Sequence, residues 1–419
     1  MTQQIFKSNW QTNVRLFLLS QFVTGITSTT VQYAIIWYLT ERTESATILS
    51  FATLLGMLPM VLLNPFVGPY VDRLNKKSLL IVPDIIAAAF AIILSVTGAT
   101  LGTFPIWLIF VSLFIRSVAQ TFQMPTVQTI IPSITPSGAL TKINGQLGIV
   151  QSANRIIAPA IGAFLFALLP LHWLLLIDVI GAILGISLLI FVTVSRNITS
   201  SHNRQVFADM KLGFSELVNN KGLWIIVLIG AISSLFIMPA ASMYPLITTD
   251  YFQKTVENAG IVSVVYSVGS LAGGTIISLF GKWSDRMKPF LLSYVVIGVT
   301  LAISGFLPPN QKGFIWFVLF SALTGLAVPF FDTLLMAMVQ QSYPVNQLGR
   351  IVGFTMSLLS LPGPLGLIFA GPIADSIGVE KLFIIAGVGI FFCALVNWLI
   401  KPARIYDKQL HQTMEKNNE

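Results

Sequence analysis

The chain has 419 residues, of which 55% are apolar and 10% charged, with a formal net charge of +8. Soluble domains carry about 25% charged residues, so most of this chain does not face water, which argues against a cytosolic enzyme. A nucleic-acid footprint needs cations clustered on one soluble face, and here the cations sit in short loops between apolar runs.

Met1 to Arg15 is polar and basic, and the apolar run that follows is too long for a signal core, so it reads as a first permanent span. Apolar runs fall at residues 15–39, 47–67, 78–99, 105–127, 143–169 and 172–194. After a polar gap they resume at 222–247, 258–280, 289–308, 314–338, 350–371 and 379–400. Each is long enough to cross about 30 Å of hydrocarbon, where only a helix satisfies the backbone within one segment. The predicted fold class is an all-α membrane protein of twelve transmembrane helices. Its parts are a six-helix half (1–194), a cytoplasmic linker (195–221), a second six-helix half (222–400) and a cytoplasmic tail (401–419). Within the linker Phe207, Met210, Phe214 and Leu217 recur at helical spacing, predicting an amphipathic helix on the inner leaflet, with a flexible linker as the plain alternative.

Orientation follows from counting cations. With both ends inside, the cytoplasmic segments hold 18 Lys and Arg residues, and the outer loops hold 4: Arg42, Lys254, Lys312 and Lys381. Arg116 and Arg155 fall inside spans and complete the total of 24. The positive-inside rule then puts both termini in the cytoplasm. The single cysteine, Cys393, allows no internal disulfide, and the scattered His172, His202 and His411 offer no metal site. No Walker-type loop is present to drive a pump with ATP.

The two halves repeat. Gly68, Asp72 and Arg73, with Lys76 and Lys77 behind them, are matched at an offset of 213 residues by Gly281, Asp285 and Arg286, with Lys288 behind them. Both copies join the second and third spans of a half. On this signature the chain resembles the major facilitator superfamily over essentially its whole length. Ala34-Ile-Ile-Trp-Tyr-Leu-Thr40, Arg116 and Leu348-Gly349-Arg350 make it most similar to the macrolide-efflux group of bacterial drug exporters. Siderophore exporters share much of the pattern.

The resemblance implies proton-coupled efflux of macrolide-like or other hydrophobic and amphipathic drugs across the cytoplasmic membrane by alternating access. It implies no cofactor beyond the proton gradient, no nucleic-acid partner, and a monomer in contact with its substrate and the bilayer. The rival readings are a siderophore or metabolite exporter or importer of the same fold, and a non-transporting sensor or lipid-handling protein. An embedded enzyme would need a clustered nucleophile or metal set, and none is visible.

Ionisable groups inside spans are costly in hydrocarbon and are functional candidates by default. Arg116 in the fourth span resembles the family's proton-relay position, against a plain reading as a structural bond to neighbouring carbonyls. Asp332 in the tenth span is the leading proton-coupling candidate, because a carboxylate enclosed there can load and release protons; a gate hydrogen bond is its alternative. Arg155 and Asp178, at similar depth on adjacent spans, read as a buried structural pair. Asp84, after Pro83 near the inner end of the third span, reads as a helix-start or inter-helix bond. Gly68, Asp72, Arg73, Lys77, Gly281, Asp285 and Arg286 are expected to latch the cytoplasmic side, with Asp72 capping the third helix and the cations bridging to the opposing half. Gln21, Gln120, Gln123, Phe236, Met238, Tyr244 and Phe330 are candidates for a substrate cavity, since amide, aromatic and thioether groups adapt to varied ligands. In a chain with 30 Phe and 12 Met, helix packing is the competing explanation.

Overall fold

A computed structural model of the chain describes residues 2–136, 139–194, 206–280, 285–343, 345–410 and 412. Among them every regular element is helical. First come α1 (Thr2–Thr43), α2 (Ala46–Arg73), α3 (Lys76–Leu101), α4 (Ile106–Ile134), α5 (Leu140–Leu168) and α6 (Leu171–Phe191). α7 (Val206–Asn219) is followed by α8 (Lys221–Ser242), α9 (Tyr244–Leu246) and a π-helical turn, Ile247–Tyr251. Then come α10 (Val256–Phe280), α11 (Met287–Phe306), α12 (Gln311–Gln341), α13 (Val345–Ser360), α14 (Pro362–Ile377), α15 (Val379–Leu399) and α16 (Lys401–Arg404).

Eleven segments among the described residues are long and apolar enough to cross a membrane. α1 is outside that set although it has 42 residues, because Gln21, Thr24, Thr27, Ser28 and Gln32 dilute its middle. The predicted eleventh span is interrupted at Leu361, where Pro362, with no N–H to donate, opens α14. α6 shows why such helices belong in lipid. Its exposed face carries Ile180, Ile183, Leu184 and Phe191, while Asp178, Gly181 and Gly185 are turned inward. A helix of a soluble protein has the opposite arrangement.

The chain divides into two compact units, residues 1–39 with 55–204 and residues 40–54 with 205–419. In unit 1, α3 packs on α4 and α6. Phe17, Leu80, Val127, Ile130, Ile131, Ile134 and Val192 close a fully enclosed apolar cluster beside them. Asn75, just before α3, accepts a hydrogen bond from the Lys77 N–H at 2.9 Å and caps the helix; the side chain of Asp72, expected in that role, lies outside the described residues. Asp72 falls in the last turn of α2, two residues before the loop begins.

Unit 2 repeats the plan: α11 packs on α12 and α15, while α8 packs on α14 and α15. α7 packs on α13 and α8. Leu217 is fully enclosed there, and the Phe214 ring meets Trp224 and Phe354, each at 5.7 Å. Leu217 of the face expected on the inner leaflet is therefore covered by protein, while Phe214 stays partly exposed; the side chains of Phe207 and Met210 lie outside the described residues. Asp375, near the end of α14, caps the start of α2. Its carboxylate accepts from the N–H of Ala46 at 2.6 Å and of Thr47 at 3.0 Å, and from Ser45 Oγ at 3.1 Å. Gly371, one turn earlier, permits that approach, since a Cβ there would come within 2.9 Å of the Ala46 carbonyl oxygen.

Candidate functional site

A charged cluster is enclosed in unit 1 where α1, α3, α4 and α6 meet. Arg116 of α4 is 4% exposed and Asp178 of α6 is 3% exposed, and Arg116 Nη1 donates to Asp178 Oδ2 at 2.5 Å. Ser28 of α1 ties the two together. Its hydroxyl donates to Asp178 Oδ1 at 3.0 Å and accepts from Arg116 Nη2 at 3.1 Å. Small residues on α6 bring α1 close enough for this. Gly181 and Gly185 face Thr27 and Thr24, and a side chain at either glycine would collide with its threonine. Spacing of small residues four apart is how membrane helices approach closely. Arg116 also reaches the Ala87 carbonyl of α3 at 3.5 Å.

One turn of α3 before Ala87 stands Asp84, half-buried. Its Oδ1 accepts from Gln123 Nε2 of α4 at 2.7 Å, the inter-helix bond that the sequence reading weighed for it. Among the described residues no cation lies within ion-pair distance of Asp84. The cations of its own helix are engaged elsewhere: Lys76 Nζ donates to the Thr129 carbonyl at 3.2 Å, and Lys77 Nζ to the Ile190 carbonyl at 2.9 Å.

Two expectations are corrected. Asp178 pairs with Arg116 and not with Arg155, which is exposed on α5. Depth along a helix does not fix the direction a side chain takes around it, and Asp178 shares the α6 face that looks toward α1. Asp332 is exposed on α12 and not enclosed as expected. The cavity candidates divide between the units. Gln21, Gln120 and Gln123 are half-buried in unit 1, the last of them engaged by Asp84. In unit 2, Phe236 packs on Gly389, Met238 on Gly363, and Tyr244 stands 5.5 Å from the Phe317 ring and 5.3 Å from that of Phe383. For these three the structure displays helix packing. Phe330 is half-buried on α12.

A charged cluster set among helices of this length, in two halves of repeated packing, is the geometry to compare with known proteins. The sequence model of the Major Facilitator Superfamily matches residues 17–366 and again 240–414. The chain belongs to this superfamily. Macrolide efflux protein A of Streptococcus pyogenes is 35% identical over 402 residues, 96% of this chain and 98% of that one, which places the chain in the superfamily's macrolide-efflux group. Multidrug efflux pump Tap of Mycolicibacterium fortuitum is 23% identical over 94% of this chain and 96% of its own. Among solved structures, a nucleoside transporter superposes with a TM-score of 0.75 at 14% identity, covering 92% of this chain and 98% of that one. The protein is therefore a multi-pass membrane transporter and not an enzyme.

The side chains of the superfamily's loop signature that the structure describes are those of Lys77, Asp285 and Arg286. Gly281 and the side chains of Gly68, Asp72 and Arg73 lie outside the described residues. Lys77, expected to bridge to the opposing half, instead holds the last turn of α6 within unit 1. Arg286 is held by the chain's own tail. Its backbone N–H donates to Asp407 Oδ2 at 2.6 Å and its Nε to Oδ1 at 2.9 Å, while Nη1 donates to Gln341 Oε1 at 2.8 Å. Asp407 is fully enclosed. Beside it the Tyr406 hydroxyl lies 2.6 Å from Ser342 Oγ and accepts from Asn220 Nδ2 at 2.7 Å. Asp285 faces Lys408 Nζ at 3.7 Å. Ala403, Tyr406 and Asp407, in the segment expected to be a cytoplasmic tail, thus pack into the end of unit 2.

Proposed function

We propose that this transporter exports macrolide-like or other hydrophobic and amphipathic compounds across the cytoplasmic membrane by alternating access. The proton gradient drives it, and it works as a monomer with both termini in the cytoplasm. The cargo rests on the kinship with macrolide efflux protein A across 96% of the chain. The coupling rests on the enclosed Arg116–Asp178 pair. Ionisable groups in mid-span are expensive in hydrocarbon, and a fold held by apolar packing alone has no need of them. In this reading Arg116 supplies the fixed charge of the proton path. Lys77 and Arg286 leave their present partners during the cycle, and the loop signature with Asp72, Arg73 and Asp285 forms the cytoplasmic latch. Asp332 remains a candidate for the proton path by its place in the tenth span.

The test is accumulation of a labelled macrolide in cells expressing the protein, with and without an uncoupler. Expression is expected to lower accumulation, and the uncoupler to abolish the difference. Unchanged accumulation would overturn the macrolide cargo, and lowered accumulation indifferent to the uncoupler would overturn the coupling.

A further inference from the structure

Among the described residues, the region where α3, α4 and α6 meet holds Asp84, Arg116 and Asp178, and the last two match each other. Arg116 and Asp178 neutralise each other, and their remaining donors and acceptors go to Ser28 and the Ala87 carbonyl. Asp84 is left with an amide. Gln123 offers it a hydrogen bond at 2.7 Å but no charge. Among the described residues α4 and α6 pack against α3, and α1 reaches its start through Phe17 and Leu80; the ionisable groups described near Asp84 are Arg116 and Asp178, already paired. Lys76 and Lys77, at the start of α3, hold carbonyls of α4 and α6. The interior is therefore electrically neutral when Asp84 carries a proton and holds one net negative charge when it does not. Asp84 is also half-buried, where Asp178 is closed off, so a proton can reach the former without the helices parting.

Gln123 makes both states satisfiable. A side-chain amide has a donor end and an acceptor end. Its NH2 serves the carboxylate. Turned by half a revolution, its carbonyl accepts from the carboxylic O–H. The proton binds and leaves at a carboxyl oxygen, and no bond to carbon is made or broken. Arg116 contacts the α3 carbonyl one turn away, so a change of charge at Asp84 acts on the helix that carries the fixed pair's third contact.

We infer that Asp84 is the proton-carrying carboxylate of this transporter, with Gln123 as its two-sided partner and the Arg116–Asp178 ion pair as its neighbour. This rests on the proton-coupled reading above and assigns its proton to one residue.

Two measurements on the full chain test it together. Infrared difference spectra of the purified protein across pH steps report a titrating carboxylic C=O band without any substrate. The band is expected in the wild type, in Asp178→Asn and in Asp332→Asn, and is expected to vanish in Asp84→Asn. In cells, Asp84→Asn is expected to lose uncoupler-sensitive macrolide efflux, and Asp84→Glu to recover part of it. A band that survives Asp84→Asn, or disappears in Asp332→Asn, overturns the assignment. Should Asp84→Asn fail to reach the membrane, Gln123→Ala carries the test: the midpoint of the band must move, and an unmoved midpoint overturns the inference. Uncoupler-insensitive efflux by the wild type would sink the proton-coupled reading itself. An Asp84→Asn protein with normal uncoupler-sensitive efflux would sink only the choice of Asp84.

Discussion

The α3–α4–α6 interface of unit 1 and the α11–α12–α15 interface of unit 2 are one packing plan built twice, with opposite contents. The first encloses Arg116 and Asp178 and holds the half-buried Asp84 and Gln123 beside them. In the corresponding place of unit 2 stand rings: Phe290 stacks on Phe331 at 5.7 Å, and Tyr294 meets Phe331 edge-on at 5.1 Å. The polar contact there is the hydroxyl pair Thr300 and Thr324 at 2.8 Å. Gly298 and Gly387 bring α11 and α15 to backbone contact, so that a Cβ on Gly387 would stand 2.5 Å from the Gly298 carbonyl oxygen. This stretch of α11, α12 and α15 therefore packs on rings and hydroxyls, and the enclosed pair of unit 2, Arg286 with Asp407, lies at its end. The charges of unit 1 are not what the architecture requires, which is the reason to look for their purpose in transport.

The sharpest way to break the comparison is to remove one partner of the enclosed pair. Asp178→Ala leaves a guanidinium in the interior with only Ser28 and a carbonyl to face. Breaking a buried pair costs about 3–5 kcal/mol. Thermal unfolding of the purified protein is expected to fall accordingly. The double variant Asp178→Leu with Arg116→Leu is expected to recover most of that stability and no transport, making unit 1 resemble unit 2. Equal losses in the single and double variants would mean that the pair is not what holds α4 to α6.

A smaller effect is expected in the dry interface. Gly387→Ala forces α15 away from Ala302 and Gly298 of α11, which are backbone neighbours and cannot turn aside. Overpacking of this kind costs about 1–3 kcal/mol. The loss is expected in the melting temperature, while uncoupler-sensitive efflux per folded molecule stays unchanged. Gly181→Ala in unit 1 meets the Thr27 side chain instead, which can rotate, so its melting temperature should fall less. A Gly387→Ala protein that keeps its stability but loses coupling would reverse the roles assigned to the two interfaces.

Spans are legible in the sequence because hydropathy and length decide them: the run at 172–194 is α6, Leu171–Phe191. The helical spacing of Phe214 and Leu217 likewise announces α7, though not the helices that cover it. Arg116 and Asp178 stand out as charges within apolar runs, but their partnership does not, since depth is readable from the sequence and direction around a helix is not. The same gap separates the expected enclosure of Asp332 from its exposure on α12. Asn75 is legible, since an Asn directly before a helix is a preferred cap. Asp375 and Asp407 carry no such signal. One lies near the end of an apolar run and the other in a polar tail, where carboxylates ordinarily face water. Only the packing of distant segments gives them Ala46 and Arg286.

The smallest prediction concerns how unit 2 keeps its acids. Asp178 in unit 1 and Asp407 in unit 2 are each neutralised by an arginine, whereas Asp250, in the π-helical turn between α9 and α10, has carboxylates for neighbours. Partial burial pushes its carboxyl above the usual range, and the charges of Glu44 and Glu380 push it the same way. A carboxyl raised on folding costs stability when ionised: the cost is complete above the folded-state value and disappears below the unfolded one. Asp250→Asn is therefore expected to raise the melting temperature slightly near neutral pH, with the gain shrinking as the pH falls through the carboxylate range. Glu380→Gln should produce part of the same gain by removing one repelling charge. A gain that persists at acid pH would locate the effect in packing, and a loss at neutral pH would show that ionised Asp250 is held by a favourable contact stronger than the repulsion.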